Sequence, residues 1–177
     1  MRYFIDTEFA ERPCSIDLIS VAIVAEDGRE FYAESSDFQD HMANEWVLAN
    51  VVPQLWSRQA DKSEFNAWTR DGGQGGLMDR GSIARAVRRF VGDEKPDFWG
   101  YYAAYDWVAF CWLFGAMIDL PKGWPMYCRD IKQLCDAIGN PKLPASGNDE
   151  HHALHDARWN RSTLAWLEAQ PRNMEQQ

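Results

Sequence analysis

Alternating and continuous hydrophobic runs define the start of the chain. Residues 4–9 form a hydrophobic segment that carries two acidic residues, Asp6 and Glu8, with one residue between them. Residues 15–25 are rich in β-branched side chains, and an Asp-Gly pair separates them from a shorter run at residues 30–33. Such runs predict β-strands, and Asp-Gly between two of them is typical of a hairpin turn. The pattern therefore predicts an antiparallel three-stranded start.

Helical and glycine-rich segments follow. Asn44 is a helix-capping residue type, and residues 45–49 after it are predicted to be helical. The pattern weakens from residue 57 and ends at residues 72–76 (Gly-Gly-Gln-Gly-Gly), which we interpret as a loop because glycine lowers the stability of regular elements. No Gly-Lys-Ser or Gly-Lys-Thr follows, which excludes a phosphate-binding P-loop.

A predicted helix at residues 83–91, capped by Ser82, has an apolar face and a basic face. The basic face consists of Arg85, Arg88 and Arg89. A solvated face is the common arrangement for such residues, and a contact with nucleic acid is the alternative.

The second half of the chain alternates predicted strands and helices. A strand at residues 97–101 is followed by a nearly all-apolar helix at residues 105–114, which Gly115 ends. A short strand near residues 126–128 and a helix at residues 129–138 come next. A loop at residues 141–150 then leads to a final helix with Asp156 near its beginning, and a polar tail starts at about residue 171. This alternation predicts an α/β fold.

Composition narrows the class of protein. The chain has 177 residues, 46% of them hydrophobic, which is enough apolar surface for one domain over residues 1–177. A formal net charge of −9 argues against a protein that coats nucleic acid by bulk electrostatic attraction, but not against an enzyme that grips one chain end. The sequence has no signal-peptide pattern and no apolar run of membrane-spanning length, so we expect a soluble protein. It also has no Cys-x-x-Cys pair, so we expect free thiols, among them a buried Cys111, and a cytoplasmic location.

The acids of the first strand indicate a metal site. Side chains two residues apart on a strand point to the same side, so Asp6 and Glu8 project together. Two buried carboxylates repel unless a divalent cation such as Mg²⁺ binds between them, whereas two solvated residues at a fraying edge strand need no cation. Asp106 follows a predicted strand and Asp156 begins the final helix. Both are candidate partners, with a role at the helix N-terminus as the alternative.

An ordered set of four acids and one histidine carries a family resemblance. The set consists of Asp6 and Glu8 in the first strand, Asp106 after two small residues and Tyr105, and His151 five residues before Asp156. It resembles the DEDD exonuclease superfamily, and specifically its histidine-bearing (DEDDh) branch, because the tyrosine branch would carry Tyr at the position of His152. One departure is Tyr102, which stands where the wider superfamily often has Asn.

More narrowly, the chain resembles the bacterial polyadenylate-specific 3′-exoribonuclease family. The similar segments are residues 2–9 (Arg-Tyr-Phe-Ile-Asp-Thr-Glu-Phe) and residues 99–106 (Trp-Gly-Tyr-Tyr-Ala-Ala-Tyr-Asp). The resemblance implies an RNase H-like α/β fold, with a mixed central sheet that has three antiparallel first strands and flanking helices. It also implies a homodimeric 3′-5′ exoribonuclease that releases nucleoside 5′-monophosphates from RNA 3′ ends and prefers adenylate-rich, single-stranded 3′ overhangs.

The same resemblance implies two Mg²⁺ or Mn²⁺ ions and a role for each member of the set. Asp6, Glu8 and Asp156 would hold the ion that activates water. Asp6 would also bridge to the second ion, which Asp106 would support. His151 would accept the proton of the water, a role typically worth about 10²–10⁴-fold in rate.

Four residues are candidates for contact with substrate. Phe9 would stack on the terminal base, with burial in the core as the alternative. Tyr105 and the His151 ring are further candidate contacts, although packing is the commoner role of a tyrosine. The backbone of Glu8 is a candidate for contact with the 2′-hydroxyl, which distinguishes RNA from DNA.

Several alternatives stay open. His152 has i, i+4 spacing to Asp156, so it competes with His151 as the base. A DNA 3′ exonuclease of the proofreading type would use the same acids and histidine, and a catalytically idle binding module would keep the fold alone. A zinc site made of His151, His152 and His155 lacks an accompanying His-Glu-x-x-His motif or cysteine pair.

Overall fold

A six-stranded mixed sheet forms the centre of the computed structural model, which describes residues 1–147 and 151–170. The strands are β1 (Arg2–Arg12), β2 (Ser15–Ala25), β3 (Glu30–Ser35), β4 (Gln74–Met78), β5 (Asp97–Gly100) and β6 (Arg129–Asp130). Their order across the sheet is β4-β3-β2-β1-β5-β6. The first three pair antiparallel, whereas the β3–β4, β1–β5 and β5–β6 pairs are parallel. The predicted antiparallel start and mixed sheet are confirmed.

Helices cover both faces of this sheet. They are α1 (Glu45–Asn50), α2 (Ser63–Arg70), α3 (Arg80–Val91), α4 (Ala104–Cys111), α5 (Ile131–Ala137) and α6 (Ala153–Glu168), with short 3-10 helices at Asp40–Met42, Val52–Gln54 and Met117–Asp119. The predicted helix after Asn44 is confirmed, and the Asn44 side chain accepts a hydrogen bond from the backbone N–H of Val47. In the described ranges, no helix combines the length and the apolar character needed to span a membrane.

Alternation along β1 sends its side chains into two separate cores. Ile5 packs in a cluster with residues of α3 and α4. Phe4 packs on the opposite face, in a cluster with residues of α5 and α6. Because Asp6 and Glu8 have the same parity as Phe4, they project on the face that α6 covers.

The prediction of a loop at residues 72–76 is wrong. Residues 63–70 form α2, and residues 74–78 form β4, which pairs in parallel with β3. The physical reason is a close approach of two backbones: a Cβ atom added to Gly75 would lie 1.8 Å from the carbonyl oxygen of Tyr32. Glycine at this edge permits the strand to pair, whereas any larger residue would push it away.

The boundaries of two helices also differ from the prediction. The N-cap of α3 is Asp79, whose side chain accepts a hydrogen bond from the N–H of Ser82, so Ser82 lies inside the first turn and is not the cap. The helix α4 ends at Cys111, before the predicted end at Phe114 and Gly115. The chain forms a 3-10-type turn there, because the N–H of Phe114 donates a hydrogen bond to the carbonyl of Cys111, three residues earlier.

The strand predicted near residues 126–128 lies later, at Arg129–Asp130. The helix predicted from Arg129 consequently begins at Ile131, since the Asp130 side chain accepts a hydrogen bond from the N–H of Lys132 and caps α5.

The remaining predicted elements need little revision. The strand at residues 97–101 is confirmed as β5, and the final helix is confirmed as α6. Residues 141–147 form no regular element, while the end of that predicted loop and the predicted tail from about residue 171 lie outside the described residues. The four cysteines are free thiols, and Cys111 is buried as expected.

We predict that Gly75→Ala destabilises the protein more than the control Gly72→Ala. Both glycines have positive φ, +137° and +98°, so both substitutions carry a backbone strain of about 1–3 kcal/mol. Only at Gly75 does the new methyl group meet backbone, because nothing lies within 4 Å of a Cβ at Gly72. Urea unfolding measures the difference. Equal losses in the free energy of unfolding would mean that the close pairing at Gly75 does not stabilise β4.

Candidate active site

Three acidic side chains from β1 and α6 meet on one face of the sheet. Asp6 and Glu8 project from β1, and Asp156 projects from the first turn of α6. Each offers a carboxylate oxygen, and these oxygens lie within 4.8 Å of one another. Within residues 1–147 and 151–170, these three carboxylates are the metal-binding side chains that lie close enough to one another to hold one ion. Hard divalent cations prefer such oxygen ligands.

A buried amide fixes α6 against β1. The Nδ2 of Asn160 donates a 3.0 Å hydrogen bond to the backbone oxygen of Ile5, and only 1% of Asn160 is exposed. Asn160 follows Asp156 by one helical turn, so the two side chains share a helix face. Since an unpaired buried amide is costly, this contact keeps Asp156 at the level of the β1 acids.

Asp106 is tied to β1 by two hydrogen bonds. Its Oδ1 accepts one from the backbone N–H of Thr7 at 2.9 Å and one from the Thr7 hydroxyl at 2.7 Å. Because Thr7 lies between Asp6 and Glu8, these bonds hold the first turn of α4 next to the two acids. Thr7, and not the exposed Tyr102, therefore supplies the hydrogen bonding around Asp106.

All four acids line one cavity of about 600 Å³. This volume lies within the range of about 300–1,000 Å³ that is typical of small-ligand sites. The other lining residues include Thr7, Phe9, Tyr101, His151, Trp159 and Asn160. The sequence-predicted acids, the predicted base and one predicted stacking residue are thus brought together.

Burial and repulsion raise the pKa values of Asp6, Glu8 and Asp106. The pKa of Asp6 lies well above its ordinary value, chiefly because burial penalises the charged form, and repulsion from the other three acids adds to this. Burial, with repulsion from Asp156 and Asp106, raises the pKa of Glu8 to about 8. Burial also raises the pKa of Asp106 to about 6, against the lowering effect of the hydrogen bonds from Thr7. A bound cation would relieve this repulsion.

The two adjacent histidines point in different directions. His151 lines the cavity, has a left-handed backbone with φ of +71°, and donates its backbone N–H to Oδ2 of Asp156 at 3.1 Å. His152 is 4% exposed, and its ring stacks on Tyr32 with centroids 4.7 Å apart. Burial lowers the pKa of His152 to about 3, so its ring stays neutral at physiological pH. The geometry therefore favours His151 over His152 as the site histidine.

Two aromatic rings form an edge of the site. A β-bulge lies between Glu8 and Phe9, and bulges of this kind re-aim side chains, so both residues line the cavity. The Phe9 ring stacks on Tyr105, with centroids 6.1 Å apart and an interplanar angle of 17°. Tyr105 is 50% exposed and Phe9 is only half-buried, so the alternative of a core position for Phe9 is not met.

The zinc alternative finds no matching geometry in the described part of the chain. His152 and His155 stack on each other with centroids 4.4 Å apart, and Nε2 of His155 lies 3.1 Å from a carboxylate oxygen of Glu64. Stacked rings present their faces and not their nitrogens to each other. The described residues contain no cluster in which these two histidines and His151 share a metal position.

The arginines of α3 lie away from the cavity. Arg85, Arg88 and Arg89 are exposed, and α3 packs on the sheet face opposite to α6. None of the three lines the cavity of the acids. This placement favours a solvated basic face.

Sequence reasoning missed the two residues that hold the acids in place. Thr7 could have been suspected from its position between Asp6 and Glu8, and Asn160 as a polar residue one turn after Asp156. Neither signal identifies the partner, because Thr7 and Asp106 are 99 residues apart, and Asn160 and Ile5 are 155 apart.

Comparison with known proteins gives a consistent match over nearly the whole chain. The model of the 3′-5′ exoribonuclease Rv2179c-like domain matches residues 1–167, a range that includes every residue of the cavity. Two Mycobacterium tuberculosis proteins are similar to this chain: 3′-5′ exoribonuclease MT2234.1 of strain CDC 1551 / Oshkosh and 3′-5′ exoribonuclease Rv2179c of strain ATCC 25618 / H37Rv. Each is 38% identical to this chain over 166 residues, and the match covers 89% of this chain and 88% of the relative's length. The chain therefore belongs to the Rv2179c-like 3′-5′ exoribonuclease family.

Proposed function

We propose that the chain is a metal-dependent 3′-5′ exoribonuclease that releases nucleoside 5′-monophosphates from RNA 3′ ends. Membership of a family of 3′-5′ exoribonucleases supports the activity. The observation that carries the proposal for this chain is the convergence of Asp6, Glu8 and Asp156 within 4.8 Å, in a cavity that Asp106 and His151 also line.

The donor set fits two Mg²⁺ or Mn²⁺ ions. The ligands are carboxylate oxygens. Burial, together with repulsion among the acids, raises the pKa values of Asp6 and Glu8, and a bound cation would relieve this cost. Asp6, Glu8 and Asp156 would hold one ion. Asp6 and Asp106 would hold the second, since both hydrogen bonds from Thr7 to Asp106 use Oδ1 and leave Oδ2 for other contacts. Such ions neutralise phosphate charge and lower the pKa of water.

His151 is the proposed general base. It would accept the proton of the attacking water at a ring nitrogen, which requires that nitrogen to reach the centre of the cavity. The hydrogen bond from its backbone N–H to Asp156 keeps the residue beside the acids. His152 lacks this access because its ring is buried against Tyr32.

The aromatic edge would hold the RNA bases. Phe9 would stack on the terminal base, next to Tyr105, and base-aromatic stacking contributes about 1–3 kcal/mol per base. Stacking of this kind tolerates any base. The backbone of Glu8, beside the bulge, would contact the 2′-hydroxyl and so select RNA.

Finer assignments rest on the resemblance together with the topology. We propose an RNase H-like fold of the histidine-bearing branch, supported by the central position of β1 in the sheet and by the approach of His151 to Asp156. A preference for adenylate-rich 3′ overhangs and a homodimeric state are proposed on the family resemblance alone.

The first prediction from the proposed function concerns the substrate and the metal. A duplex RNA labelled at its 5′ end and carrying an oligoadenylate 3′ overhang should be shortened stepwise from the 3′ end with Mg²⁺ or Mn²⁺, and not with chelator. Overhangs of the other bases and a matched DNA should be shortened more slowly. Asp6→Asn, which removes a charge from the acid cluster, should abolish the ladder.

Other outcomes of that experiment identify the alternatives. Equal or faster shortening of the DNA would place the protein among DNA exonucleases of the proofreading type. Binding of either polymer without cleavage would favour an idle binding module. Shortening in chelator would contradict the metal dependence.

The second prediction separates the two histidines. His151→Ala should lower kcat by about 10²–10⁴-fold while leaving the fold intact, because it removes the base and no core packing. His152→Ala should instead lower the free energy of unfolding by about 3–5 kcal/mol, the typical cost of truncating a large buried ring, with a smaller effect on kcat. Steady-state kinetics and urea unfolding measure both. A larger fall in kcat for His152→Ala would overturn the assignment of the base.

The third prediction concerns the repulsion among the acids. Without metal, Asp6→Asn should raise the melting temperature, by roughly 2–4 °C for each kcal/mol of repulsion removed. Burial and repulsion hold the pKa of Asp6 well above its ordinary value and raise the pKa of Glu8 to about 8, so the folded state binds more protons than the unfolded chain. Metal-free stability therefore falls as pH rises from the ordinary carboxyl range towards 8, and Asp6→Asn removes the contribution of Asp6. The gain should therefore be larger at pH 8 than at pH 5. Calorimetry in chelator that showed a loss at both pH values would contradict the repulsion.

A further inference from the structure

A half-exposed tryptophan meets the ring of the proposed base. Trp46 lies in the first turn of α1, and its ring is T-shaped to that of His151, with centroids 4.8 Å apart and an interplanar angle of 83°. Trp46 is 52% exposed, so it contributes little to a core. T-shaped aromatic pairs stabilise a contact beyond the area that they bury, so this pair favours the observed orientation of the His151 ring.

The first turn of α1 is a rigid support for Trp46. The Asn44 side chain caps the helix by accepting the N–H of Val47 at 2.9 Å. Val47 itself is buried in a small core together with Ala10 of β1 and Ile19 of β2. The backbone that carries Trp46 is therefore fixed to the same strand that carries the acids.

The backbone contacts of His151 do not orient its ring. The N–H bond to Asp156 fixes the main chain of His151, which precedes α6 and has φ of +71°. The ring can still rotate about its side-chain bonds, and the wrong rotamer would move a nitrogen by several ångströms. In the described part of the chain, Trp46 supplies the aromatic contact that restricts this rotation.

We propose that Trp46 is a positioning residue that holds the His151 imidazole in the orientation needed for proton transfer. The inference rests on the proposed role of His151 as the general base. A misplacement of about 1 Å costs up to about 10²-fold in rate, so the effect of Trp46 falls on kcat. A tryptophan that stacked on an RNA base would instead act on KM.

Two substitutions and one control test this role. Trp46→Ala should lower kcat by about two- to tenfold, with KM changed by less than about twofold. Trp46→Phe keeps an aromatic partner for His151 and should recover most of kcat. Leu48→Ala alters another exposed side chain of α1 and should leave kcat and KM unchanged. Kinetics on the RNA overhang substrate measure all three, and melting temperatures confirm that each variant folds.

A double-substitution cycle shows whether Trp46 acts through His151. In the His151→Ala background, adding Trp46→Ala should cause no further loss of kcat, because the ring to be positioned is already absent. Additive losses would overturn the proposal. A rise in KM without a fall in kcat would also overturn it, and would indicate a base-stacking platform.

A spectroscopic measurement is independent of turnover. The ring protons of His151, identified by their loss in His151→Ala, should show a ring-current shift that disappears in Trp46→Ala and persists in Leu48→Ala. A shift that survives in Trp46→Ala would mean that the rings do not meet. If the wild type shows the shift but cleaves no RNA, the proposed function fails while the contact stands. If His151→Ala leaves kcat intact, the positioning role fails with the base assignment.

Discussion

Repulsion among carboxylates held in a partly buried cavity is the constraint on which the rest of the site depends. Without the surrounding fold, Asp6, Glu8 and Asp156 would separate, because burial and repulsion from neighbouring acids raise the free energy of ionising Asp6 and Glu8. The fold prevents separation by placing two of them on one strand and the third on a helix that is locked to that strand. The stability of the surrounding sheet and helices maintains the strained arrangement, as is usual where chemistry needs it.

Two polar contacts transmit this constraint to the helices. The hydrogen bond from Asn160 to Ile5 locks α6 to one face of β1, and the pair from Thr7 to Asp106 locks α4 to the same strand. The Asn160 contact uses a backbone oxygen, and the Thr7 contacts use only Oδ1 of Asp106, so neither contact involves the carboxylates of Asp6 and Glu8. The hydrophobic cores on the two faces of the sheet then hold α4 and α6 against β1.

The local part of this arrangement could be predicted from the sequence. Strand periodicity is enough to place Asp6 and Glu8 on one side, whereas the approach of Asp106 and Asp156 to them is expected from the family resemblance and not from local patterns. The contacts of Thr7 and Asn160 could not be predicted, because their partners lie 99 and 155 residues away and one partner is a backbone oxygen. Local sequence patterns predict which face of a strand or helix carries a residue, but they do not predict which distant residue it contacts.

The predictions that failed share a physical cause. Gly75 belongs to a strand because a neighbouring strand approaches within 1.8 Å of where its Cβ would be, and no local propensity contains that neighbour. Helix periodicity also offered His152 as the alternative to His151, but α6 begins one residue after His152 and His151 adopts positive φ. The left-handed residue turns the chain so that adjacent rings separate, one into the cavity and the other into the core.

Net charge sets a further condition on how such a site meets RNA. A chain with a formal charge of −9 repels a polyanion at long range, and the exposed arginines of α3 lie on the opposite face of the sheet from the acids. Attraction must therefore arise locally. In the proposed mechanism it would come from cations bound by the carboxylates and from the aromatic edge of Phe9 and Tyr105. Such local attraction would hold one segment of an RNA strand and would not coat its length. The acids proposed to bind the cations thus disfavour broad binding along RNA, which suits an enzyme that acts on a chain end.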